Sequence, residues 1–95
     1  MSMQLAPQSY GKYFTALTLP ERLAVERYIG SMREAYPDLA FDATAGPGND
    51  GAVYVYMPFP EDDDLNIEIH EALSEVSATI LLETGVSIVL MPGPE

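Results

Sequence analysis

The sequence predicts an α+β fold in which two amphipathic helices cover one face of a mostly antiparallel sheet of three or four strands. The first observation is the element order, which reads helix, strand, strand, helix, strand after a short N-terminal element. The second is that both helical segments carry apolar residues at three- and four-residue spacing. The third is that the strand segments are apolar on at least one face. Elements with one apolar face pack in layers, so the predicted architecture is a two-layer sandwich.

A chain of 95 residues is long enough for one modest core, so residues 1–95 are predicted to form a single domain. Residues 1–8 are predicted to be a flexible arm, because Pro7 interrupts any regular element there. Residues 9–17 place four apolar side chains at helical spacing, but Gly11 weakens a helix. This stretch is open between a short helix and an edge strand.

The first helix is predicted to begin after Thr18 and to end before Pro37. Thr18 can cap the free amides while Glu21 completes a capping box, and Pro20 is tolerated in a first turn. The residue before a proline is pushed out of the helical region, which ends the helix near Ala35. One apolar face contains Val25, Tyr28, Ile29, Met32 and Tyr36.

Two strands are predicted next, joined by a loop rich in turn-forming residues. Apolar alternation over residues 39–44 predicts the first strand, and residues 45–51 form the loop. In the second strand, residues 52–57, Val53, Val55 and Met57 face one way and Tyr54 and Tyr56 the other.

Residues 52–91 read as a strand, helix and strand unit. The helix is predicted over residues 63–84, with one of the acidic residues before it as the N-cap and Gly85 as the residue that ends it. An apolar stripe of leucine, isoleucine and valine marks its buried face. The last strand covers residues 86–91 and is almost entirely apolar.

Negative charge is concentrated in the second part of the chain. Residues 37–95 hold twelve acidic residues and no lysine or arginine, and the whole chain has a net charge of −11. Such a field repels nucleic-acid phosphate, so nucleic-acid binding is not expected. It attracts basic proteins, although an acidic surface also serves solubility alone. The predicted partner-binding residues are Glu61, Asp62, Asp63, Asp64, Glu68, Glu71 and Glu75.

A second predicted surface is the sheet face away from the helices. Tyr54, Tyr56, Val89 and Met91 would lie there without cover, and an apolar face of this kind is seldom left bare. A second copy of the chain would cover it in a homodimer, and the N-terminal aromatic stretch is the alternative.

The motifs of common enzyme classes are missing. There is no cysteine, no Gly-x-Ser-x-Gly turn and no phosphate-binding glycine loop before a helix. The residues that begin at Asp62 do not match a calcium-binding loop. His70 is the only histidine, and it is expected to be a surface residue. We expect no cofactor and no metal.

The element order over residues 20–91 resembles the core of minimal nucleotidyltransferases. The regions that correspond to that family's motifs read Thr44-Ala45-Gly46 and Asn49-Asp50-Gly51-Ala52. Only Asp50 matches a metal-binding aspartate of the family, because Ala52 stands at its partner position and the Gly-Ser pair is absent. The resemblance therefore implies a degenerate, inactive relative.

These observations predict a non-enzymatic interaction or regulatory module that forms a homodimer and binds a basic partner. The alternative is a small metal-dependent enzyme, or a degenerate nucleotidyltransferase-like domain, that uses Asp50 and the carboxylates of residues 61–64. No run of about 18 apolar residues is present, so no membrane span is expected. Because no secretory signal pattern is present, a cytoplasmic location is expected. The small size of the chain suggests a bacterial source.

Overall fold

The computed structural model describes residues 10–40 and 43–93, so the predicted arm at residues 1–8 lies outside the described residues. The helices are α1 (Leu19–Ala35), α2 (Pro37–Ala40) and α3 (Asp63–Thr84). The strands are β1 (Thr44–Pro47), β2 (Val53–Met57) and β3 (Ile88–Pro92). Two short 3₁₀ turns cover Phe14–Ala16 and Asn49–Gly51.

The predicted α+β fold class and element order are confirmed. The three strands lie in the order β1-β2-β3, with β2 in the centre. The sheet is mixed instead of mostly antiparallel, because β1 and β2 pair antiparallel whereas β2 and β3 pair parallel. The parallel pair follows from α3, since a single helix that connects neighbouring strands carries the chain back to its starting end.

Both long helices begin and end where local signals place them. Thr18 Oγ1 accepts a hydrogen bond from the Glu21 N–H at 3.3 Å, and Glu21 Oε1 accepts one from the Thr18 N–H at 2.8 Å, which completes the predicted capping box. Tyr36, before Pro37, has left the helical region with φ −140° and ψ 68°. In α3, Asp62 is the N-cap and Gly85 takes the left-handed conformation with φ 79°.

The strand predicted at residues 39–44 was wrong in its position. Residues 37–40 form the short helix α2, and residues 41–42 lie outside the described residues. β1 begins only at Thr44, the last residue of the predicted strand, and continues to Pro47 through the segment predicted as a loop. Proline suits a first helical turn, which favours a helix after Tyr36. The small residues of β1 have little strand propensity of their own, so pairing with β2 decides their conformation.

The stretch at residues 9–17 is neither a regular helix nor a strand over its described part. It turns through Phe14–Ala16 and lies along the outer edge of β1, where the Tyr10 carbonyl accepts a hydrogen bond from the Ala45 N–H at 2.8 Å. Phe14 packs against the core and Leu17 is buried in it. This segment therefore covers the β1 edge.

The core lies between the two long helices and one face of the sheet. The predicted inward side chains Val53, Val55 and Met57 are fully buried, and no polar or charged residue of the described ranges is buried with the core. The helices contribute fully buried or nearly fully buried side chains to the same cluster: Val25, Tyr28, Ile29, Met32, Ile69, Leu73 and Ile80. This burial pattern is the one expected for helices on one face of a sheet.

Both outer edges of the sheet end in a proline. The Ala45 N–H points away from β2, and strand residues alternate in direction, so the proline nitrogen at position 47 also faces outward. In β3 the same alternation follows from two bonds to β2: Val53 N–H to the Ser87 carbonyl at 2.8 Å and Gly93 N–H to the Met57 carbonyl at 2.6 Å. Pro92 therefore faces outward as well, where a missing N–H costs no sheet bond.

Candidate interaction surfaces

The acidic run before α3 occupies a helix N-terminus. Asp62 Oδ1 accepts a hydrogen bond from the Leu65 N–H at 3.1 Å, which satisfies one of the free amides of the first turn. Asp63 and Asp64 follow in that first turn, where the helix dipole favours negative charge. Glu61 and all three aspartates are exposed. Capping therefore accounts for Asp62, and the other carboxylates remain available to solvent.

The acidic face of α3 continues from this run along the outward side of the helix through Glu68, Glu71 and Glu75, all of them exposed. Tyr36 donates its hydroxyl hydrogen to Glu68 Oε2 at 3.0 Å. Desolvation and this bond to Glu68 raise the pKa of Tyr36 above its usual value. Among the described residues, no lysine or arginine pairs with any of these three glutamates. The predicted acidic residues thus form one continuous exposed surface.

The ion pair of the described chain lies elsewhere, between Arg27 Nη1 of α1 and Glu83 Oε1 of α3, at 2.6 Å. The hydrogen bond to Arg27 lowers the pKa of Glu83, and the same bond raises the pKa of Arg27. Both side chains are about half exposed, so the pair adds little stability. It links α1 to the end of α3 and leaves the acidic face unneutralised.

The structure does not bring Asp50 to the acidic run. Asp50 lies in the 3₁₀ turn before β2 with φ 57°, whereas Glu61 follows the other end of that strand. Five strand residues separate the two ends by roughly 13 Å. Within residues 10–40 and 43–93, no three histidine, aspartate or glutamate side chains come together as a metal-binding group. The metal-dependent alternative therefore has no geometric support from these residues.

The outer sheet face contains the four residues predicted for it. The register places Tyr54 beside Val89 and Tyr56 beside Met91, and their partly exposed side chains alternate with the buried ones. The rings of Tyr54 and Tyr56 meet edge to face with centroids 6.2 Å apart. Tyr13 reaches only the margin of this face, where it borders a hollow with Gly46, Pro47 and Tyr56. The described N-terminal stretch therefore leaves most of the face uncovered.

A groove between α3 and β3 is the feature that sequence reasoning missed. It has a volume of about 220 Å³ and is hereafter the α3–β3 groove. Its lining comes from three elements: Tyr28, His70, Leu73, Ser74, Ser77 and residues 88–90. The one sequence signal was the pair of small polar residues Ser74 and Ser77, one helical turn apart and beside the apolar stripe.

His70 is held at one side of this groove. Its Nδ1 lies 2.8 Å from the Asn66 carbonyl oxygen, and a carbonyl only accepts, so Nδ1 carries the hydrogen and donates it. The ring also contacts Phe59 edge to face, with centroids 4.9 Å apart. His70 is exposed, as the sequence predicts, but it is fixed in orientation.

Comparison of the chain with protein-family models, with curated proteins and with solved structures finds no match. None of the helices in the described part of the chain combines the length and the apolar character needed to cross a membrane. Functional inference therefore depends on the surfaces themselves.

Proposed function

We propose that the protein is a cytoplasmic, non-enzymatic interaction module, a homodimer whose acidic α3 face binds a basic partner. The observation that carries the proposal is the continuous exposed row Glu68, Glu71 and Glu75, none of which forms an ion pair with a described residue. Arg27 borders a hollow with Glu75, but its guanidinium is paired with Glu83. Like charges at this spacing destabilise a helix slightly. A cationic partner relieves that repulsion, and complementary charge speeds its association.

The acidic face is tested with an immobilised oligolysine as the probe. A variant with Glu68→Gln, Glu71→Gln and Glu75→Gln is expected to bind about tenfold more weakly, which corresponds to about 1.4 kcal/mol. Glutamine keeps an acceptor for Tyr36 and removes the like-charge repulsion, so the melting temperature is expected to stay equal or to rise. Binding is measured as a function of salt concentration, because contacts between exposed charges are screened.

The matched control removes the same amount of charge from exposed positions elsewhere, with Glu26→Gln, Glu34→Gln and Asp50→Asn. This variant is expected to bind within about twofold of the wild type, because long-range charge is weakened by screening. Equal loss of binding in both variants would show that net charge alone attracts the probe. That result would contradict a binding face on α3.

The homodimer part of the proposal is supported by the apolar face around Tyr54 and Met91, which the described residues leave partly exposed. Light scattering is expected to give twice the monomer mass of 10.4 kDa at both low and high salt. Met91→Lys is expected to give a monomer, because a buried unpaired charge is costly. Ile67→Lys is the control, since Ile67 is an exposed apolar residue on α3.

A monomer at every salt concentration would contradict the dimer. A dimer that forms only at high salt would show that repulsion between the two acidic chains opposes association until salt screens it. Loss of the dimer in Ile67→Lys, with Met91→Lys still dimeric, would move the interface to α3.

A further inference from the structure

Two polar side chains of the α3–β3 groove, Ser77 and His70, donate their hydrogens to groups inside the protein. Ser77 donates its hydroxyl hydrogen to the Ser74 carbonyl at 3.1 Å, so its oxygen presents lone pairs. His70 donates from Nδ1 to Asn66, which leaves Nε2 as an acceptor in the neutral ring. These two side chains therefore present acceptors to the groove, which suits an occupant that brings N–H groups.

Tyr28 adds a hydroxyl group that has no partner among the described residues to this lining. Its side chain is 1% exposed, yet its hydroxyl makes no hydrogen bond to any described residue. Burial raises the pKa of Tyr28 well above its ordinary value of 10, so the hydroxyl stays protonated and can both donate and accept. The hydroxyl oxygen is not among the enclosed unpartnered atoms of the described residues, so it faces the open groove and is available to a group that enters it.

The free edge of β3 runs beside the groove. Ser87 and Gly93 bond to β2, so by alternation Ile88 and Leu90 direct their N–H and carbonyl groups outward. The outward N–H and carbonyl groups of these two residues have no partner within the described residues. Unpaired edge groups of this kind are the template to which an extended peptide adds as a further strand.

The negative charge around the β3 edge favours a basic peptide. The described residues from 43 to 93 contain no lysine or arginine. The carboxyl end of β3 lies beside the end of β2, where Gly93 bonds to Met57, and the acidic run of residues 61–64 begins a few residues after Met57. A peptide on this edge therefore extends toward four carboxylates, which favour basic residues in it.

We propose that β3 and the α3–β3 groove bind an extended segment of a basic partner, which adds as a fourth strand. One lysine or arginine of that segment enters the groove, where its aliphatic stem lies on Leu73 and its N–H groups reach Tyr28 and Ser77. This inference rests on the proposed function for the positive charge of the partner. It adds the conformation of the bound segment and the pocket for its side chain.

The test uses a synthetic peptide that alternates valine and threonine around a central lysine and has a lysine at each end. Amide signals in two-dimensional NMR are followed during its titration into the full chain. The outward amides of Ile88 and Leu90 are expected to shift and to become protected from hydrogen exchange. The amides of Val89 and Met91 already bond to β2, so their exchange is expected to change little.

Two pairs of variants separate the groove from general charge effects. Tyr28→Phe removes only the unpartnered hydroxyl, and it is expected to weaken peptide binding about tenfold without lowering the melting temperature. Tyr13→Phe removes an exposed hydroxyl outside the groove and is expected to leave binding within about twofold. Ser74→Lys places a cation on the groove lining, whereas Ala78→Lys adds the same charge at an exposed position outside it. Only Ser74→Lys is expected to reduce binding.

Several results would overturn this inference. Protection of the Ile88 and Leu90 amides without peptide would mean that the edge is occupied already: by a second copy if protection depends on protein concentration, and by another part of the chain if it does not. Equal binding of a peptide with glutamate in place of lysine would contradict the basic partner. Signals that shift only along the acidic face of α3 would refute strand addition and leave the proposed function standing. A failure of both the peptide and the oligolysine probe would refute both.

Discussion

Replacing Ile69 by alanine is expected to lower the free energy of unfolding by about 3 kcal/mol. Ile69 is fully buried on the inward face of α3, so the change removes apolar atoms and leaves a cavity between the helix and the sheet. Urea unfolding at fixed protein concentration measures the change, since the stability of a dimer depends on concentration.

Ile67 provides the matched control because it is the same residue type in the same helix, two positions earlier. It is 58% exposed, so Ile67→Ala is expected to change the unfolding free energy by less than about 0.5 kcal/mol. Both substitutions gain the same small helix propensity from alanine, which cancels in the comparison. Similar losses for the two variants would mean that α3 does not bury the face containing Ile69.

Replacing Gly48 by alanine is expected to cost about 2 kcal/mol, the second large effect. The added methyl carbon would overlap the Tyr54 ring and lie 2.8 Å from its Cγ. Gly48 has an extended backbone with φ −113°, which any residue adopts, so the cost is steric only. The ring must move away from β1, and the tyrosine circular dichroism signal is expected to fall along with the melting temperature.

The same substitution at Gly30 is expected to act in the opposite direction. Gly30 lies within α1, and apart from the adjoining backbone of that helix no heavy atom comes within 4 Å of the position that an alanine methyl group would take. Alanine there is expected to raise stability by about 0.5–1 kcal/mol through helix propensity.

The Gly48 prediction is contradicted if Gly48→Ala proves as stable as the wild type. That result would mean that the Tyr54 ring is not held over Gly48.

Local signals were enough to place the ends of the long helices. Thr18, Pro37, Asp62 and Gly85 act on their own backbone neighbours, so their effect does not depend on the rest of the fold. The inward and outward alternation of β2 was also predictable, because the spacing of side chains along a strand is fixed at two.

The position of β1 and the α3–β3 groove could not be predicted from local signals. β1 contains Gly46 and Pro47, which are residue types typical of turns. The strand conformation of β1 depends on hydrogen bonds to β2 and to the Tyr10 carbonyl, which come from other parts of the chain. The groove joins Tyr28, Ser77 and Ile88, which lie far apart in the chain and meet only after folding. Tyr28 was assigned to the core, correctly for its ring, but nothing in the sequence showed that its hydroxyl would lack a partner.

The two strand pairings of β2 close loops of very different length along the chain. Pro47 and Val53 are joined by a short turn, whereas the pairing of Val53 with Ile88 must close a loop that contains all of α3. Closing the longer loop costs more chain entropy. Contacts that form only after α3 has folded offset this cost. We therefore expect the β1–β2 hairpin to form before β3 docks on β2.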